Sequence, residues 1–249
     1  MKQKLIALLF FFAAGAFLAG CEPDPDPSNP STPDNPPEGS VRGIFSVGTD
    51  KQVYFSSGNL AEDGRKFVEN QWEFGGYFGW GTGNNPGNMS TYVEDYRIFN
   101  DWGNYINGGW RTLSQEEWNY LLLDRADASD KSASSEVNGT RGLVILPDNW
   151  TLPSGCTFHP GYNDWGSNVY TEAQWLKMES AGAVFLPAAG YRWNTDVVQV
   201  GMEGCYWTST PYVDEGYAYY VYFREDYIYT SSYNFSYFGR SVRLVKDRQ

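Results

Sequence analysis

Between Tyr206 and Phe238 the chain packs ten of its 19 tyrosines into 33 residues and has no lysine there. Phenol rings in that number, mixed with serine, asparagine and aspartate, carry contact chemistry. Each ring offers a large amphipathic area at a low cost in side-chain entropy, and the short polar neighbours adapt their hydrogen bonds to whatever they meet. Strand alternation sorts the run from 218 to 224: Tyr219, Val221 and Phe223 share one face, and Tyr220, Tyr222 and Arg224 share the other. Val221 and Phe223 claim the interior, so Tyr220, Tyr222 and Arg224 are expected to face out. The same alternation puts Ile228 inside and Tyr227 and Tyr229 outside. The predicted contact surface starts at Tyr212, Asp214 and Tyr217 and runs on through Ser231, Tyr233, Asn234, Ser236 and Tyr237. Asp226, Asn234 and the serine hydroxyls would supply hydrogen bonds, while the rings stack on a sugar or pack on a protein. The expected partner is therefore a protein or a glycan.

Groups able to make and break bonds are scarce. His159 is the only histidine, sits in a Pro-Gly loop and has no second imidazole to work with. Beyond the N-terminal segment the thiols are Cys156 and Cys205, and sequence alone cannot place their Cα atoms within bridging distance. Asp101, Asn163 and Asp164 are loop oxygens without the pattern of a cation cage. No catalytic residue, cofactor or metal ligand is expected. A net charge of -12, from 18 basic against 30 acidic residues, argues against nucleic acid and against anionic membrane surfaces as partners.

The elements that must hold these residues are short. Residues 43–47 and 52–56 alternate around the turn Gly48-Thr49-Asp50, and 67–74 reads as a further strand. The Gly- and Asn-rich stretch 75–109 is too long to be formless, so Trp80, Tyr92, Tyr96, Phe99 and Trp102 are expected to peg it down. Two capping boxes, Ser114 to Glu117 and Thr171 to Gln174, open helices that stop near Arg125 and Gly182. The run from Gly142 to Pro147 reads as a buried strand. Beyond Ala183 the chain is a series of strands, with Trp118, Trp207 and Val242 as core residues and Val242 and Leu244 alternating with Arg243. The predicted class is α+β, with two helices packed on short antiparallel strands and long loops.

The ends set the compartment. Lys2 and Lys4 precede an apolar run to Phe17, too short to span a bilayer, and Leu18-Ala19-Gly20-Cys21 resembles a lipobox. Residues 1–20 are then a signal peptide, Cys21 the lipidated first residue, 21–40 a Pro- and Asp-rich stalk, and 41–249 the domain. Seven of the 13 prolines lie in the stalk, which cannot build a core. The acidic residues directly after Cys21 resemble a surface-export signal of Bacteroides-group lipoproteins, which implies an outer-membrane anchor with the domain facing outwards.

Several motifs carry a wider resemblance. Trp110 to Trp118 resembles the helix start of C-type-lectin-like domains, including formylglycine-generating enzymes. Ala188 to Arg192, Gly204 to Thr210 and Gly239 to Val245 resemble the last third of that fold, and match best a Bacteroidetes and Fibrobacter family of paralogous surface lipoproteins. The enzyme branch implies a thiol pair at an active site, but the surroundings of Cys205 do not follow its pattern and Cys156 has no counterpart. The calcium site of sugar-binding members needs a Trp-Asn-Asp strand, where this chain reads Trp207-Thr208-Ser209. The placement of the tyrosine run also resembles the hypervariable stretch of retroelement-diversified proteins: residues 226–238 all belong to the set reachable by adenine mutagenesis, and Glu225 does not. Together these resemblances imply a displayed adhesin or receptor-like module, with an enzyme or a structural pilus component as alternatives.

Overall fold

In the computed structural model, residues 35–82 and 99–249 are described. The signal, Cys21, most of the stalk, Tyr92 and Tyr96 lie outside them. Short runs of β-branched and aromatic residues, punctuated by turns, give strands of two to eight residues that pair mostly antiparallel. The first and last strands share the first sheet, where β1 (Phe45–Gly48), β2 (Lys51–Phe55), β13 (Leu244–Asp247) and β3 (Arg111–Thr112) pair in that order. The second sheet orders β6 (Val169–Tyr170), β4 (Ser132–Val137), β5 (Thr140–Ile145) and β7 (Val184–Pro187). A hairpin joins β8 (Tyr191–Trp193) to β9 (Asp196–Val198). The tyrosine run forms the fourth sheet, with β10 (Gly204–Pro211), β11 (Tyr217–Phe223) and β12 (Ile228–Phe235) in sequence order.

Thirteen strands in four sheets among the described residues make the domain β-rich, which corrects the α+β class predicted from the capping boxes. Both boxes do form. Ser114 Oγ accepts from Glu117 N–H at 3.2 Å while the Glu117 carboxylate takes Ser114 N–H at 2.8 Å, and Thr171 and Gln174 repeat the exchange. A cap starts a helix without setting its length. Helix α1 (Gln115–Asn119) has five residues before widening into a π turn over Tyr120–Asp124, and α2 (Glu172–Ser180) has nine. Each serves as a peg, pressing Trp118 or Trp175 and Met178 onto the sheets, and the sheets supply most of the interior.

That interior has three clusters. Phe45, Phe55, Trp118, Leu121, Tyr206, Val221 and Phe223 belong to the first. Leu60, Phe78, Trp80, Trp102, Trp207 and Val242 form the second, and Trp175, Met178 and Phe185 anchor the third. Trp80 and Trp102 are the pegs expected of the Gly-rich stretch: both are fully buried, and Trp80 donates its indole N–H to the Thr208 carbonyl at 2.8 Å. The 67–74 segment is not a regular strand; only Phe67 bridges, to Leu60. Arg243, expected to alternate outwards, is instead buried, with its guanidinium donating to Gln71 Oε1 at 2.7 Å. Burial without a bonded carboxylate pulls its pKa down to about 10. Gln71 also donates to Glu179 Oε1 at 2.8 Å, so a short polar chain ties the residue just before β13 to α2.

Candidate functional site: the tyrosine sheet

Alternation along β11 sends Tyr217, Tyr219, Val221 and Phe223 to one face and Ala218, Tyr220 and Tyr222 to the other. Neither face is wholly core. Val221 and Phe223 enter the first cluster, and Gly204 is required opposite Phe223 because a Cβ there would come within 1.9 Å of its ring. On the opposite face Ala218 and Tyr220 pack on the second cluster. The sheet therefore buries one end of each face and leaves the other end of each to tyrosines.

The first aromatic group runs through Tyr220, Tyr222, Tyr227 and Tyr229, with successive ring centroids 6.2, 5.7 and 5.1 Å apart. It is tied down by charge. The Arg240 guanidinium lies 3.6 Å from the Tyr220 ring centroid and 4.9 Å from that of Trp207, with Tyr191 at 5.5 Å and Phe238 at 5.6 Å. Arg240 is itself buried, a cation held by ring faces. Glu203, also buried, accepts from Tyr222 Oη at 2.9 Å and from Arg224 Nη2 at 2.6 Å, and Tyr227 Oη donates to Tyr222 Oη at 3.3 Å. Burial, the bond to Tyr227 and the Glu203 carboxylate all push the Tyr222 phenol well above its ordinary value.

The second group is held ring on ring. Tyr212 stacks on Tyr233 with centroids 3.8 Å apart and planes 7° from parallel, and Tyr217 stacks on Phe235 at 4.4 Å. Tyr219 packs edge-on against Tyr212 at 5.1 Å. Phe235 continues to Tyr237 at 5.1 Å, Tyr237 to Phe238 at 5.3 Å, and Phe238 to Trp193 of the β8–β9 hairpin at 6.5 Å. Trp193 is 53% exposed, Tyr233 50% and Phe235 37%, so the row presents ring surface to solvent along its length. The bond to Tyr233 raises the Tyr212 phenol pKa.

A β-bulge decides which tyrosine joins which group. Tyr219 lies opposite Tyr233 and Tyr220 opposite Ser232, but Tyr222 lies opposite Tyr229, so Thr230 and Ser231 together face Val221. Unbroken alternation would place Tyr229 beside Tyr233; the extra residue turns it to the Tyr222 side. Thr230 is buried and donates its hydroxyl to Asn119 Oδ1 at 2.8 Å, which fixes the bulge against α1.

The predicted contact residues are thus divided. Tyr212, Tyr217, Tyr233 and Tyr237 belong to the exposed row, with Asp214 exposed in the turn beside it. Tyr222, Arg224 and Tyr227 form the Glu203 network, and Tyr229 extends it into solvent at 57% exposure. Arg224, Asp226 and Tyr227 line a cleft of about 190 Å³ with Arg141, Trp165 and Met202. Ser231 is exposed, and Asn234 Oδ1 accepts the N–H of Phe235 at 2.8 Å. Two expectations are corrected. Tyr220 is packed between Trp207 and Arg240 instead of facing out, because the second cluster reaches this face of the sheet. Ser236 is buried, its carbonyl accepting the Trp80 N–H at 2.7 Å. The predicted contact surface leaves out Trp193, Tyr219 and Phe235. Alternation assigns Tyr219 to the interior face with Val221 and Phe223, and Trp193 comes from a hairpin that only the fold brings alongside.

Cys156 and Cys205 are both free and buried; burial lifts the Cys205 thiol to about 11. His159 is exposed, and its backbone bonds the Asn168 side chain. Among the described residues no three His, Cys, Asp or Glu side chains come together as a metal site, and no helix is long and apolar enough to cross a membrane. A cleft of about 630 Å³ lies by α1 and is lined by Lys51, Arg111 and Glu117, whose charges pair with one another and with Asp247. Residues 167–245, which include all of the tyrosine sheet, are similar to a domain family of unknown function, DUF8237. No curated protein and no solved structure matches the chain.

Proposed function

We propose that this protein is a displayed binding module whose contact surface is the exposed aromatic row from Tyr212 to Trp193, and that a lipid on Cys21 holds it at the outer membrane. The observation that carries the reading is the stack Tyr212–Tyr233–Tyr217–Phe235: four large rings ordered by one another, with Tyr233 and Phe235 half or more than a third exposed. Ordering rings before a ligand arrives reduces the entropy lost on binding, and exposed aromatic patches of this kind mark interaction sites. The Glu203 network adds rigid polar groups at the neighbouring end of the sheet. The likeness of residues 204–210 and 239–245 to surface lipoproteins supports the same assignment, as does the lipobox-like segment ending at Cys21.

Cells displaying the full chain are tested for attachment to immobilised protein and polysaccharide surfaces. The triple variant Trp193→Ala, Tyr233→Ala, Phe235→Ala should lose attachment while its near-ultraviolet circular dichroism shows the core intact. Undiminished attachment by the folded triple variant would remove the row as the contact surface. Cys21→Ser should abolish labelling by radioactive palmitate and release the chain from the membrane fraction.

A further inference from the structure

Free charge beside the aromatic row is mostly negative: Arg240 is buried against rings, and Arg192, next to Trp193, donates to the Tyr77 carbonyl at 2.9 Å. From Trp193 to Phe238 the chain has six carboxylates and a single cation, Arg224. That cation is committed, since its guanidinium donates twice to Glu203 Oε1, at 2.6 and 3.2 Å. Of the five other carboxylates, Glu225 and Asp226 lie in the β11–β12 turn beside Arg224, and three sit at the ends of the row. Asp214 and Glu215 are exposed in the turn that joins Tyr212 to Tyr217. At the other end Asp196 is exposed and lies directly across the β8–β9 hairpin from Trp193. Between these ends the most exposed rings are Tyr233 and Phe235.

Resting on the binding role proposed above, we infer that the partner is a cationic polypeptide segment, with arginine or lysine side chains laid on the row and paired with Asp214, Glu215 and Asp196. Ring faces carry negative quadrupole density and attract guanidinium and ammonium groups, arginine most of all. Carboxylates at both ends complement the same charge and speed its approach, an effect that fades with salt. An acidic partner is repelled there by the rim carboxylates and by a chain of net charge -12. The domain already uses this chemistry within itself: Arg240 lies against Tyr191, Trp207, Tyr220 and Phe238, and Phe238 is also a member of the exposed row.

The test titrates the full chain in detergent with octa-arginine and octa-glutamate peptides, following tryptophan fluorescence, and repeats the titration on a neutral polysaccharide such as dextran. Octa-arginine should bind and octa-glutamate should not. Trp193→Ala and Tyr233→Ala, which leave net charge unchanged, should each weaken octa-arginine about tenfold. Asp214→Asn with Asp196→Asn should weaken it and flatten its salt dependence, whereas Asp130→Asn and Glu69→Gln, away from the row, should not. Octa-arginine binding that ignores the ring variants is diffuse attraction to an acidic protein and overturns the inference. Dextran binding lost in the ring variants, without a peptide preference, overturns it too but leaves the binding role standing. If neither probe binds and the ring variants also attach to surfaces normally, both fail together.

Discussion

The two aromatic groups of the β10–β12 sheet are built from the same residue type on neighbouring strands, yet they are held in opposite ways. Tyr220 is held by Arg240 against its ring face, and Tyr222 and Tyr227 by a hydroxyl chain to Glu203, both charges being buried. Tyr212, Tyr217, Tyr233 and Phe235 are fixed by one another and keep ring surface in water. A tyrosine that spends its hydroxyl and its ring on the fold has little left for a partner. One that is ordered by a neighbouring ring still does.

The sharpest way to break this contrast is a pair of truncations. Tyr220→Ala should lower the unfolding free energy by about 3 kcal/mol, because it empties a site between Trp207 and Arg240 and strips the buried cation of its closest ring. Tyr233→Ala should cost about 1 kcal/mol or less. Urea denaturation of both variants checks this, and equal losses would erase the distinction.

An alkaline titration probes the interior side of the sheet. Burial raises the Cys205 thiol to about 11, so the folded chain favours its protonated form. That contribution is whole below the ordinary thiol value near pH 9 and is lost as pH rises through about 11. Its size is about 2–3 kcal/mol. Stability measured against pH in Cys205→Ala should be flatter across that window than in the parent chain. Glu203→Gln should cost about 2 kcal/mol, since Arg224 and Tyr222 lose a charged acceptor. A double cycle with Tyr222→Phe should show the two losses failing to add. The smallest effect is expected at the bulge: Thr230→Val removes the bond to Asn119 for about 1 kcal/mol. It should leave attachment through the exposed row unchanged in the surface assay.

Much of the architecture is legible along the chain because it is set by near neighbours. Both capping boxes form where Ser114 and Thr171 place them, and Trp118, Trp207 and Val242 are buried as their periodicity requires. The class is misread for a related reason. A cap announces a helix as plainly for five residues as for fifteen, while strands of two or three residues, such as Arg111–Thr112 and Val169–Tyr170, have no periodicity to announce and exist only through their partners. Arg243 is a sharper case. A charged residue between two apolar ones reads as an outward position, and acceptors distant in sequence, Gln71 Oε1 and the Phe185 carbonyl, make its burial tolerable.

The sequence by itself determined that a dense, lysine-free tyrosine segment lies near the C-terminus, that strands run through Tyr217–Phe223 and start again near Tyr227, and that few groups for bond chemistry accompany it. It could not determine which tyrosines reach solvent. Alternation yields two faces but does not say what covers them, and here each face is buried at one end and open at the other. Tertiary structure decided the matter through contacts distant in sequence: the second cluster against Tyr220, Arg240 beneath its ring, the bulge that turns Tyr229, and the hairpin that brings Trp193 alongside Phe238. Burial depends on what packs against a side chain, and that partner is chosen by the fold of the whole chain.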